Sequence, residues 1–211
     1  MRKLLKFLAM SSVVMLVFST MGCENFLTMG CGNYQSERRP HMHSYDVQLQ
    51  KYLHEPSRDN FISLRDAVAA SPDYKPYLDY RKRVYPLLDQ HKYDRARKYL
   101  ESVMPKKFLN PGIHELLSFV LRELAEDEGA HAELMLAGIL LKGILSTGDG
   151  SRENPYLVLY IDDEYNVLEH FEKQRVAQSL VQDGDRFYDR LGCADGSQIW
   201  FDVTVPCDRI K

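Results

Sequence analysis

The stretch ILSTGDGSRENPYLVLYIDDEYNVLEH, residues 144–170, changes its hydrophobic period twice. Just upstream, Met135 to Leu145 is apolar nearly all round, the mark of a buried helix too short to span a bilayer. Gly148-Asp149-Gly150 then reads as the turn that stops this helix, with Gly148 as the left-handed residue beyond its last turn. Tyr156 to Ile161 is a β-branched and aromatic run and reads as a strand. Asp162-Asp163 read as the cap of a helix that begins near Glu164 and continues through Tyr165, Leu168 and Phe171. A helical half therefore precedes residues 147–155, the joint, and a strand-rich half follows, which makes the fold class α+β.

Downstream, Val176 to Val181, Arg186 to Leu191 and Gln198 to Val205 are strand-like, separated by Asp183-Gly184-Asp185 and Asp195-Gly196. Residues 147–211 are thus expected to form a small antiparallel sheet with one helix. Upstream, residues 44–146 carry helical spacing throughout. Val47, Leu49, Tyr52 and Leu53 mark a first helix, and Ser57 caps a second through Phe61, Leu64 and Val68. Asp73 to Gln90 reads as a third, tyrosine-rich helix with Pro76 in its first turn and Pro86 kinking it. His91 to Pro105, a Leu109-Asn-Pro-Gly turn, Ile113 to Leu124, a Glu126 to Gly129 break and Ala130 to Leu145 follow, giving tetratricopeptide-like helical hairpins.

At the start of the chain, Arg2, Lys3 and Lys6 precede an apolar run from Phe7 to Phe18, the pattern of a signal peptide over residues 1–22. Thr20-Met21-Gly22-Cys23 resembles a lipobox, so Cys23 is the expected lipidation site, with residues 23–43 as a flexible tether. With those three basic residues removed from 27, 24 remain against 30 acidic ones, a net charge of −6. Such a balance argues against a nucleic-acid partner. Of the remaining cysteines, Cys193 falls at the hairpin turn and Cys207 beyond its far end, too distant for a bridge. His41 and His43 in the tether have no third ligand beside them and imply no metal.

No GxSxG, GxxxxGK[ST], HExxH or CxxC pattern occurs. Glu128 and His131 form a single Glu-x-x-His, half of what a di-metal bundle site needs, and they fit the acidic start of a helix. The candidates for acid–base chemistry are Asp149, Glu153, Glu164 and His170, all in or beside the joint. The same candidates are equally described as turn and cap residues, and no nucleophile or committed ligand set accompanies them.

The order Ile144-Leu145, Gly148-Asp149-Gly150, Glu153, Tyr156-Leu-Val158, Glu164-Tyr165, Leu168, Gln178-Ser-Leu180, Asp185, Tyr188-Asp189 and Ile199-Trp-Phe201-Asp202-Val203 resembles the bacterial domain-of-unknown-function 4919 family. The resemblance spans 144–203 and implies an arrangement of elements and frequent secretion signals; it implies no activity.

Together these features set the expectation of a lipid-anchored cell-envelope protein, periplasm-facing, on the inner or outer membrane. Its expected partner is an unknown envelope protein or peptide held by the helical half, with no cofactor. One form of this is an immunity or accessory lipoprotein that sequesters a toxin or enzyme. The alternative is a metal-assisted hydrolase working through Asp149, Glu153, Glu164 and His170.

Overall fold

Capping and turn chemistry divide the helical part of the chain. In the computed structural model, which describes residues 45–209, Ser57 caps α2 (Arg58–Ala69) by accepting the Asn60 N–H at 3.4 Å. The preceding helix, α1 (Asp46–His54), packs on α2. The leader, Cys23, Cys31, His41 and His43 lie outside the described residues.

The third helix, α3 (Arg81–Asp89), starts later than the spacing suggests. Residues 71–80 form turns and coil, so Pro76 precedes the helix, while Pro86 sits inside α3 without ending it. Next come α4 (Tyr93–Lys107), α5 (Pro111–Glu123) and α6 (Asp127–Leu145), each packed on the one before. Asn110 is the N-cap of α5 and Pro111 opens it, the favoured position for a residue without an N–H. Glu128 and His131 lie exposed in the opening turns of α6, so much of the acidic break is helix.

The sheet has the order β1-β4-β3-β2, with β1 (Tyr156–Leu157), β2 (Arg175–Asp183), β3 (Arg186–Cys193) and β4 (Gln198–Asp202). β2, β3 and β4 form an antiparallel meander, but β1 runs parallel to β4, pairing Tyr156 with Phe201 and Leu157 with Asp202. The sheet is therefore mixed rather than purely antiparallel. The parallel pair exists because the chain crosses back through α7 (Ile161–His170) and two strands before β4 joins β1.

The expected Tyr156–Ile161 strand is short because Asp163 draws the chain out of the sheet. Its Oδ2 accepts the Leu159 and Tyr160 N–H groups at 3.0 and 2.9 Å, so α7 begins at Ile161, three residues earlier than its acidic start suggested. The last strand likewise ends at Asp202, whose Oδ1 accepts the Thr204 N–H at 2.9 Å and starts α8 (Thr204–Asp208). The C-terminal unit thus holds two helices. Cys193 closes β3, Cys207 sits in α8, and among the described residues neither is in a disulfide.

Gly148 is not the left-handed residue of the turn. That conformation belongs to Gly150, at φ +76°. Gly148 is needed because the returning chain crowds it: a Cβ there would lie 2.4 Å from the Pro155 carbonyl oxygen and 2.5 Å from that of Asn154. Both obstacles are backbone and neither can swing away. Gly148→Ala is therefore expected to destabilise the fold by about 2 kcal/mol, as overpacking against a fixed neighbour does. Urea unfolding checks this; a midpoint within error of wild type would show that the 148–155 turn can open.

Among the described residues two apolar cores result. One joins α1, α2 and α6 to the sheet through residues such as Leu49, Leu64, Ile144, Val158, Leu191 and Phe201. The other lies among α3, α4 and α5, around Val84, Leu100, Ile113 and Leu117. The larger core crosses residue 147, so the N-terminal helices pack directly on the C-terminal unit. Among the described residues no helix is long and apolar enough to cross a membrane.

Candidate functional site

The densest polar arrangement sits where the start of α7 meets the ends of α4 and α5. Asp163 is 1% exposed, and its Oδ1 accepts the Asn110 amide at 2.8 Å in addition to the two backbone N–H groups on Oδ2. Asn110 Oδ1 in turn accepts the Ile113 N–H at 3.2 Å and the Tyr80 hydroxyl at 2.9 Å. One asparagine therefore ties together the N-termini of two helices, whose dipoles both favour the negative carboxylate.

Beside it, Lys107 at the end of α4 is 0% exposed. Its ammonium donates to the Pro76 carbonyl at 3.0 Å and to Asp162 Oδ2 at 2.9 Å, and lies 4.7 Å from the Tyr160 ring centroid. Arg81 Nη1 reaches the other Asp162 oxygen at 3.0 Å. Burial pulls the Lys107 ammonium below its ordinary range, against the opposing pull of Asp162. Burial also pushes the Asp163 carboxyl up to about 6, the amide and N–H donors holding it from rising further. Such partnered, buried charges are a seam between elements.

A second acidic group faces the sheet. Glu164 is 0% exposed, and neither of its oxygens meets an N–H or hydroxyl donor. Across from it is Asp189 on β3, also buried, whose Oδ2 accepts the Gln178 amide at 2.9 Å. Burial first, then the charge of Asp189 and a hydrogen bond to it, push the Glu164 carboxyl up to about 10. Such a shift favours the neutral carboxyl at neutral pH, the form that can donate toward Asp189. Cys207 of α8 adjoins this pair, its thiol raised by burial, and Tyr77 donates to the Pro206 carbonyl at 3.1 Å beside it.

A third buried pair pins the helices. His114 Nδ1 lies 2.6 Å from Glu133 Oε2, and Nε2 lies 2.7 Å from the Phe108 carbonyl. The carbonyl can only accept, so Nε2 carries its hydrogen.

The four candidates for acid–base chemistry are spread over different environments. Asp149 is exposed in the joint, where its Oδ1 accepts the Ser151 N–H at 2.8 Å and the two Ser151 hydrogen bonds hold its carboxyl below the ordinary range. Glu153 is exposed in the same turn, whereas Glu164 is sealed against β3. His170 ends α7, half-buried, with its ring 5.0 Å from that of Phe171 and its pKa lowered by burial. It lies six residues beyond Glu164, about 240° around the helix at roughly 100° per residue, so the two occupy different faces. Among the described residues no group of three or more His, Cys, Asp or Glu side chains could hold a metal ion.

The residues that sequence reading missed are Lys107, Arg81, Asn110 and Asp189 as partners of the acidic stretch. Only Asn110 carried a usable local signal, the Asn-Pro pair that opens a helix. No family model matches the chain, and neither a curated protein nor a solved structure matches it.

Proposed function

We propose that the chain is a non-enzymatic binding module, held at the cell envelope through an acyl anchor on Cys23, that takes up an extended segment of another polypeptide along the free edge of β2. The observation that carries this reading is the edge itself. β2 is nine residues long, is paired on one side only among the described residues, and is exposed along most of its length. Gly184, at φ +60°, takes the first position of the two-residue turn joining β2 to β3. In such a hairpin the flanking pair, Asp183 and Arg186, exchanges hydrogen bonds, and the pattern then alternates along the ladder. Gln178, Leu180 and Gln182 consequently turn their N–H and C=O groups away from β3, where a partner strand can bond to them.

Side chains add to the case. Leu180 is 61% exposed and Val176 is 64% exposed, although both are large and apolar. Natural edges are commonly blunted by lysine or proline, and β2 contains neither. The helical half, by contrast, spends most of its apolar side chains on the two cores, with Val47 and Tyr77 as isolated exposed exceptions. The sheet edge therefore replaces the groove between helical hairpins as the favoured surface. The spread of Asp149, Glu153, Glu164 and His170 supports binding over hydrolysis.

Leu180→Lys places a charge on the edge while leaving the β2–β3 ladder intact. Pull-downs with the tagged, mature protein are expected to recover a partner reproducibly with wild type and to lose about 90% of it with the variant, a penalty of about 1.4 kcal/mol. Equal recovery by both proteins would show that partners bind elsewhere, and recovery of none by wild type counts against a binding role.

A further inference from the structure

We propose that α3 and α4 carry a second surface, a basic stripe that docks on the anionic phospholipid headgroups of a bilayer and orients the domain on it. This goes beyond the edge-binding reading and rests on one part of it, the acyl anchor on Cys23. Residues 81–107, from the start of α3 to the end of α4, hold nine of the 27 Lys and Arg residues but three of the 30 Asp and Glu residues. That is a local net charge of +6 in a chain whose formal net charge is −3, which leaves −9 for the remainder.

Ion pairs engage only part of the basic set. Arg81 and Lys107 share Asp162, Lys82 meets Asp79 at 3.2 Å, and Arg97 meets Glu101 and Glu126. Among the described residues Arg83, Arg95, Lys98 and Lys106 are in no ion pair. At roughly 100° per residue, Arg95, Lys98, Tyr99, Ser102 and Lys106 fall within about 100° on one side of α4, with no acidic residue among them. Arg83 of α3 lies 4.8 Å from the Tyr99 ring centroid and widens the stripe. Ala96, Leu100 and Val103 take the buried side of α4, and Asp94 and Glu101 stand on a third side, beside Arg97.

The fold itself does not call for this charge. Arg95 is in the first turn of α4, where the helix dipole disfavours a cation, and Lys98 follows three residues on, close enough to repel it. Lys106, in the last turn, is the one member that the dipole favours.

Two observations favour lipid over an acidic polypeptide. The stripe is the convex side of a helix rather than a groove that would anchor apolar side chains, whereas attraction to anionic headgroups needs charge alone. The chain leading from Cys23 also enters the domain beside the stripe. Tyr45, the first described residue, stacks on Phe108 with ring centroids 5.8 Å apart, and Phe108 caps the end of α4 two residues beyond Lys106. The 21 residues between Cys23 and Tyr45 span at most about 80 Å, so the anchor holds the stripe near the bilayer at high effective concentration.

The mature chain carrying Cys23→Ser tests the stripe without the acyl group. In low salt it is expected to float with vesicles of equal parts phosphatidylglycerol and phosphatidylcholine, not with phosphatidylcholine alone, and to bind less as salt is added. Arg95→Gln with Lys98→Gln should weaken vesicle binding about 25-fold, at about fivefold per charge. Arg58→Gln with Lys142→Gln, which removes the same charge from exposed positions on α2 and α6, should leave it nearly unchanged. No flotation with either vesicle, equal flotation with both, or equal losses in the two double variants would overturn the docking. So would loss of a captured acidic protein by the Arg95 and Lys98 variant with its flotation unchanged. Partner capture lost by Leu180→Lys but kept by the Arg95 and Lys98 variant would support two separate surfaces. The intact mass of protein extracted from cells reports the acyl group independently, so an absent anchor and a stripe that ignores lipid give different results.

Discussion

Asp163→Ala is expected to lower the stability of the fold by about 3 kcal/mol, the largest loss from a single side chain in the seam, by leaving buried donors unpaired. The carboxylate accepts from the Leu159 and Tyr160 backbone and from the Asn110 amide, all in an environment closed to water. Each donor stranded without an acceptor costs about 1–3 kcal/mol. Against this stands a gain, because the raised Asp163 pKa means that the fold works to bury the charge at neutral pH. A shift to about 6 from 3.8 corresponds to about 3 kcal/mol at most, so three stranded donors outweigh the relief.

At about 2–4 °C per kcal/mol for a domain of this size, the melting temperature should fall by roughly 6–12 °C. The difference should also depend on pH in a definite direction. Because the folded pKa lies above the unfolded one, the stability contributed by Asp163 is fully present below about 3.8 and is lost as pH rises to about 6. The gap between wild type and variant is thus wider at pH 5 than at pH 7. Thermal melts at both values check this, with Asp149→Ala, in the exposed turn, as a variant expected to change little. A gap that narrows toward pH 5 would mean that the carboxylate is better served charged than neutral.

The seam also shows where the chain was legible as sequence. The α+β division, the Ser57 cap, the Asp195-Gly196 turn and the meander of β2, β3 and β4 all follow from local period and turn chemistry. Tyr156 to Ile161 did not, because a β-branched apolar run describes a buried extended connection as well as a strand. What decides between them is Asp163 reaching back to residues 159 and 160. Lys107 could not be singled out either: it reads as one of two adjacent surface lysines, and its partner Asp162 is 55 residues away. Glu164 looked like one more acidic residue at a helix start until β3 placed Asp189 against it. The candidate edge was visible as a strand, but its being an edge depends on the strand order.

Glu164→Gln is expected to make the protein more stable than wild type at alkaline pH, although it alters a fully buried side chain. The Glu164 carboxyl is held neutral by burial and by Asp189, with its pKa raised from 4.5 to about 10. A carboxyl whose folded pKa is raised contributes stability that is complete below its unfolded value and is lost as pH rises through the folded value. Between about 4.5 and 10 the folded protein holds one proton more than the unfolded chain, so stability falls by up to about 1.4 kcal/mol per pH unit. Glutamine has nearly the same shape, stays neutral throughout, and keeps an N–H to donate to Asp189, so the variant should lack this slope. The two proteins should be similar near pH 5 and diverge by several kcal/mol, on the order of 3–4, by pH 8. Urea titrations at pH 5, 6.5 and 8 measure the divergence directly, and parallel profiles would show that Glu164 is ionised in the fold. Glu164→Ala separates the charge from the packing: it removes the same proton but opens a cavity beside Asp189, and should be less stable than the glutamine variant at every pH. A gain with glutamine and a loss with alanine would fix Glu164 as a neutral hydrogen-bond donor that joins α7 to β3, which is the role of a structural seam and not of a general acid in contact with substrate.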